Sequence, residues 1–253
     1  MFEYKDTKII AQYLRSMLSG ERCTLCREGH TSGDGILCPE CKEKLSAEAS
    51  FVCSRCGALV CDCLCTTDEM KLAGIKSFVK LFPYYAEEGR MSNRLLFRLK
   101  SKKDRMLTSL VSCELAERSV PLLAKYASAE DCCVTYIPRS RKRIRENGVD
   151  QAKETAEALA KALGLCCLPL LHRENEGNVQ KKLSNEGRAN NVKGMFRADG
   201  EVPACVILFD DLVTTGATVC ACARLLKANG AETVLVVSLA HTVGHDADYF
   251  NPV

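Results

Sequence analysis

Between Val206 and Val219 the chain reads VILFDDLVTTGATV. Val206 to Phe209 is an unbroken apolar run. A strand of that kind has no side to turn toward water, so it belongs inside a sheet covered on both faces. A helix beginning near Ala217 follows almost at once. The same alternation runs through the carboxyl half. DCCVTYIP (131–138) reads as a strand and VDQAKETAEALAKAL (149–163) as an amphipathic helix stopping at Gly164. LCCLPLL (165–171) reads as a strand, 217–229 as a helix ending at Asn229-Gly230, and TVLVVSLA (233–240) as a strand. Upstream, IKSFVKLFPYY (75–85) has strand character, with helical stretches at about 90–100 and 104–127. The pattern predicts an α/β fold, a parallel sheet with helices on both faces. A chain of 253 residues, 47% of them hydrophobic, is long enough for one such domain and a small extra module.

The extra module is written in cysteine. Nine of the 17 cysteines fall within 21–67, a segment poor in large apolar groups. Cys23-x-x-Cys26 and Cys38-x-x-Cys41 are eleven residues apart, the arrangement that completes a tetrahedral zinc site. Cys53-x-x-Cys56 opens a second site, whose partners come from Cys61, Cys63 and Cys65; Cys61 and Cys63 are preferred, with Cys65 spare. Four thiolates saturate zinc, so both sites are read as structural, and metal binding supplies much of the folding free energy. Cys113, Cys132, Cys133, Cys166, Cys167, Cys205, Cys220 and Cys222 sit in apolar patterns and are expected to fill the core. His30, His172, His241 and His245 receive no role.

The expected boundaries are an amino-terminal helix over 1–20, a double zinc ribbon over 21–67, the α/β domain over 68–243, and a frayed tail over 244–253. The start MFEYKDTKII has no secretory pattern, and no apolar run of 18 residues exists, so a cytoplasmic location with reduced thiols and no membrane span is expected. The formal charge of +3 predicts nothing about nucleic acid by itself; only the clusters Lys100 to Arg105 and Arg139 to Arg145 could contribute. There is no Trp and aromatics are 6%, so stacking platforms for bases are scarce.

Asp210 and Asp211 stand at the carboxyl end of the Val206–Phe209 strand, where open α/β sheets bind ligands. Thr214, Thr215, Gly216, Ala217 and Thr218 then lead into a helix amino terminus, which offers free N–H groups to an anion. Carboxylates accept hydrogen bonds from hydroxyls, while the amide turn accepts phosphate; a ribose 5-phosphate satisfies both.

That stretch resembles the signature of class I phosphoribosyltransferases, and with the cysteine-rich start the chain as a whole, over nearly all of 21–240, resembles the ComF family. The resemblance implies a double zinc ribbon followed by a phosphoribosyltransferase type I fold, binding of 5-phosphoribosyl 1-pyrophosphate with Mg²⁺, and an association with DNA uptake in natural competence. It places Pro138, Arg139, Ser140 and Arg141 in the loop that meets the pyrophosphate, and arginine forks suit phosphate oxygens. The family pattern Arg-Gly-Phe-Asn-Gln is only half kept: Gly148 and Gln151 match, Asn147, Val149 and Asp150 depart, and Arg145 is the stand-in for the absent arginine. Gln180, Leu183, Arg188, Asn191, Gly194 and Phe196 match a second family stretch, which closes over the site in related transferases and would bring Lys181, Lys182 and Arg188 to the pyrophosphate.

Two functions stay open at this point. One is pentosyl transfer, in which a base or amine displaces pyrophosphate at ribose C1, with Asp210 and Asp211 as the catalytic pair. The other is a non-catalytic protein of the uptake machinery that binds single-stranded DNA, or scaffolds other uptake proteins, and uses the fold as a nucleotide sensor.

Overall fold

The computed structural model describes residues 22–28, 31, 36–85, 90–101, 104–126, 131–174, 195–242 and 249–250. Five strands form the central sheet: β2 (Ile75–Tyr84), β3 (Cys132–Tyr136), β4 (Cys166–Cys167), β7 (Cys205–Val213) and β8 (Thr233–Thr242). Their order is β2-β8-β7-β3-β4 and every pairing is parallel. β7 is thus flanked on both sides, with Ile207 opposite Val134 and Leu235. Its alternate side chains enter two separate cores. Ile207 and Phe209 face one, Val206 and Leu208 the other, and all four are fully buried.

Two long helices, α4 (Arg105–Tyr126) and α6 (Gln151–Leu163), cover the first face together with α3 (Met91–Ser101). α2 (Asp68–Leu72) and α7 (Ala217–Ala228) cover the second. α6 begins at Asp150, whose carboxylate accepts the Lys153 amide at 3.4 Å, and ends at Gly164 with φ +70°. The first cysteine segment is no separate bead on the chain. Cys23, Leu25, Leu37 and Cys41, with Leu45 of α1 (Pro39–Ala49), lie in the same core as Leu95, Leu99 and Phe209. The second segment has a small core of its own around Phe51, Cys53, Val60 and Cys63, with β1 (Val52–Cys53) at its start.

Four features differ from the sequence reading. The stretch 165–171 is not one strand. β4 stops after Cys167, since Pro169 has no N–H to give a ladder, and β5 (Leu171–Arg173) turns away to pair with β6 (Phe196–Ala198). The basic stretch after β3 contains a helix, α5 (Arg141–Asn147), capped by Ser140 and closed by Gly148 at φ +74°. Cys113 and Cys166 are exposed, not core, and Cys167 is half-buried. In the tail, β9 (Tyr249–Phe250) pairs antiparallel with Val52–Cys53 instead of fraying. The helix expected over 1–20, the segment 175–194 with Gln180, Lys181, Lys182, Leu183, Arg188, Asn191 and Gly194, and His30 and His245 lie outside the described residues. No helix among the described residues is long and apolar enough to cross a membrane.

Candidate functional site

Asp210 and Asp211 lie inside the last turn of the sheet, because β7 continues through them to Val213. The register puts Asp210 beside Ser238, and its carboxylate accepts the Asp211 amide at 3.0 Å. Asp211 is the more enclosed, at 8% exposure. Its carboxylate is already engaged by two cations. The Arg139 guanidinium pairs with it, and the Lys100 ammonium lies 3.2 Å from the same oxygen.

The two carboxyls diverge in proton affinity. Burial pushes the Asp210 carboxyl well above the ordinary range, and the neighbouring charge and hydrogen bond of Asp211 push it further. Burial acts on Asp211 in the same direction, but the positive charges of Lys100 and Arg139 outweigh it and hold Asp211 below the ordinary range. On Asp211 one carboxylate faces two cations, and those cations are the groups that would meet an anion at this corner.

Directly after β7, Thr214 and Thr215 are exposed, Ala217 and Thr218 half-buried, and Gly216 buried. Gly216 takes φ +78° as the residue preceding α7, a conformation that L side chains resist. A Cβ there would also meet Met70 Cε at 3.3 Å, so α2 backs the turn. The Thr215 hydroxyl accepts the Ala217 amide at 3.4 Å. The turn opens a twelve-residue helix, whose amino end follows the acids closely in the chain.

Of the basic run, only Arg139 is turned inward. Pro138 and Ser140 flank it half-buried, Ser140 spending its hydroxyl on the Arg143 amide. Arg141 is exposed at the start of α5, and Arg145, also exposed, donates back to the Arg141 carbonyl on the same helix. Lys100 was legible only as part of a basic cluster. It comes from α3, about 110 residues from Asp211, and no spacing rule connects the two.

The cysteines form two groups in which every sulfur lies within 4.8 Å of the others. Cys23, Cys26, Cys38 and Cys41 are one. Cys26 and Cys38 Sγ are 3.8 Å apart, which equals the edge of about 3.8 Å that a tetrahedron with Zn–S of about 2.3 Å requires. Both knuckles close alike: the residue after the second cysteine has positive φ, Arg27 at 63° and Gly57 at 71°, and donates its amide to the first cysteine's carbonyl at 2.9 Å.

The second group is Cys53, Cys56, Cys63 and Cys65, which corrects the preference for Cys61. Cys61 sits in the turn between Leu59 and Cys63, held by the Asp62 amide on Leu59 and the Cys63 amide on Val60. That turn points it away, against Arg118 and into a cavity of about 330 Å³ that Leu37, Leu81 and Leu95 also line. Cys63 and Cys65, two residues apart, both bring their sulfurs to this group. Lys80 of β2, fully buried, donates to the Cys63 carbonyl at 2.9 Å and to its sulfur at 3.4 Å. A buried ammonium against a sulfur fits a site whose thiolates carry net negative charge, and it orients Cys63 from behind. Both donor sets suit zinc and leave no open position.

The chain is 28% identical over 234 residues to the DNA utilization protein YhgH of Salmonella typhi, spanning 87% of this chain and 97% of that protein. It is 29% identical over 142 residues to the competence protein ComFC of Streptococcus pneumoniae (strain ATCC BAA-255 / R6), spanning 56% and 60%. The chain is thus similar to a DNA utilization protein over nearly its whole length and to a competence protein over about half of it. No protein-family model matches it. Among solved structures it is similar to a phosphoribosylpyrophosphate synthetase from Mycobacterium smegmatis, with a TM-score of 0.33 and 21% identity over 50% of this chain and 33% of that one. The chain carries the parallel sheet, the acid pair on its central strand and the two cysteine groups together.

Proposed function

We propose that the chain binds 5-phosphoribosyl 1-pyrophosphate together with Mg²⁺ at the carboxyl end of β7, as a phosphoribosyltransferase-like protein serving DNA uptake. The observation that carries the reading is the convergence on one corner of Asp210, Asp211, Arg139 and Lys100 beside the Gly216 turn. The turn of 214–218 at the helix start holds the 5′-phosphate. The carboxyls of Asp210 and Asp211 accept from the ribose 2′- and 3′-hydroxyls. Arg139 and Lys100 leave Asp211 for the pyrophosphate, which releases Asp211 for the sugar. Mg²⁺ bound with the ligand would be held on the protein side by Asp210 and Asp211, and would supply charge neutralisation for the pyrophosphate.

In the transfer reaction the C1–O bond breaks and pyrophosphate leaves with the electron pair. The bond from the acceptor nitrogen to C1 forms on the opposite face, and the proton that nitrogen carried passes to solvent. Arg139 and Lys100 stabilise the leaving charge, and Asp211 the positive charge that develops on the sugar. The names of the relatives, DNA utilization and competence proteins, support a role in handling incoming DNA.

A second, non-catalytic reading has one observation of its own. Phe97 stands 71% exposed on α3, on the same helix face as Lys100 three residues on, as a stacking surface for a base of single-stranded DNA would. Calorimetric titration with the sugar pyrophosphate, with and without Mg²⁺, tests the first reading. Micromolar binding that needs Mg²⁺ and disappears in the Asp210→Asn, Asp211→Asn double variant is expected; binding that survives the double substitution refutes it. Pyrophosphate release over a panel of bases then establishes or removes the enzyme. Steeply salt-dependent single-strand binding lost in Phe97→Ala supports the second reading.

A further inference from the structure

α3 is tied down at three places. At its start the Glu48 carboxylate, on α1 and 8% exposed, accepts the Met91 and Ser92 amides at 2.6 and 2.8 Å, a cap supplied from the cysteine module. Along its length Leu95 and Leu99 are buried in the core that also holds Cys23 and Leu25. Near its end the Arg98 guanidinium donates two hydrogen bonds, at 2.9 and 3.2 Å, to the carbonyl of Thr24, between the two cysteines of the first knuckle. Thr24 is itself locked, since both its amide and its hydroxyl donate to the Ile36 carbonyl. Two residues beyond Arg98, Lys100 reaches Asp211.

We infer that α3 is a brace which transmits the fold of the first cysteine centre to the acid pair, with Arg98 and Glu48 as positioning residues for Lys100. The lever is short and stiff. Met91 and Lys100 are nine residues apart, about 14 Å along the axis, so a tilt of about 10° around the capped end carries the lysine by roughly 2.4 Å. A shift of that size breaks a contact of 3.2 Å. Arg98 stands at the free end of the lever and blocks that tilt. The knuckle it grips owes its shape to the metal that its four sulfurs are built to hold. Ligand affinity at the acid pair thus depends on a residue that touches no ligand.

The ligand arm of the test rests on the proposed phosphoribosyl site; the second arm does not. In the first arm the Mg²⁺ complex of 5-phosphoribosyl 1-pyrophosphate is titrated into the wild type, Lys100→Met, Arg98→Met, Arg98→Lys and the Arg98→Met, Lys100→Met double variant. Lys100→Met is expected to weaken binding about tenfold. Arg98→Met loses most of the same factor, the double variant is no weaker than Lys100→Met, and Arg98→Lys, which still reaches a carbonyl, recovers part of the loss. In the second arm amide hydrogen exchange is followed without ligand. Arg98→Met quickens exchange over 94–101 about tenfold and leaves β7 unchanged. Wild-type affinity in Arg98→Met, or losses that multiply in the double variant, overturns the brace, as does unchanged exchange over 94–101. Should the wild type not bind the sugar pyrophosphate at all, the phosphoribosyl reading falls while the exchange measurement still decides the brace.

Discussion

Replacing Asp211 by Asn removes the one carboxylate that two cations share. Arg139 has only 9% of its side chain exposed and cannot retreat to water, so its stranded guanidinium costs about 2 kcal/mol. Lys100 is 31% exposed and resolvates, for a loss of at most about 1 kcal/mol. The sum, about 2–3 kcal/mol, corresponds to a fall in melting temperature of about 5–10 °C for a domain of this size. The loss depends on pH with a definite sign. Asp211 is held below the ordinary carboxylate range, so its stabilisation is present above about pH 4 and disappears as pH falls through the lowered value. Wild type and variant therefore converge in acid. The stranded cations also seek an anion. Inorganic pyrophosphate at about ten times its dissociation constant stabilises a site by about 1.4 kcal/mol, and the Asn variant gains more than the wild type at equal concentration. Thermal melts at pH 7.5 and at about pH 2.5, each with and without pyrophosphate, make the measurement. A variant that melts within a degree of the wild type at pH 7.5, or equal stabilisation of both proteins by pyrophosphate, shows that Asp211 is not the counterion of this corner.

Zinc content separates the cysteines: two ions per chain in the wild type and in Cys61→Ser, one in Cys65→Ser, read by metal analysis of the purified protein. Gly216→Ala forces a side chain into φ +78° and against Met70, which costs about 1–2 kcal/mol in urea unfolding and weakens sugar-pyrophosphate binding; an unaffected variant would mean that the turn is not strained. Asp210 has the opposite sign to Asp211. Its raised proton affinity costs the fold stability as pH rises above the ordinary carboxylate range, so Asp210→Asn gains on the wild type between pH 4 and pH 8 in thermal melts, and a flat difference refutes the assignment.

Legibility in the sequence followed the distance over which each feature is decided. Val206–Phe209 declared a doubly covered strand, because four apolar residues in succession leave no face for water, and the parallel sheet follows from that strand and its helices. The first cysteine group was readable for a similar local reason, since two CxxC turns complete a tetrahedron without help. The second was readable only in part. Cys61, Cys63 and Cys65 are equivalent in spacing, and the choice between them lay in a turn that bends Cys61 toward Arg118.

Sequence alone determined the strand, the helix-opening turn at Gly216 and the chemistry of the acids, because each is a property of consecutive residues. Tertiary structure decided which cations meet those acids. Arg139 and Lys100 arrive from β3's loop and from α3, and Arg145 and Arg141 stay outside, because helix packing and not spacing sets the direction of each side chain. The electrostatics of the corner are therefore a product of the folded state: packing places the cations, and burial together with those cations drives two neighbouring carboxyls apart in proton affinity.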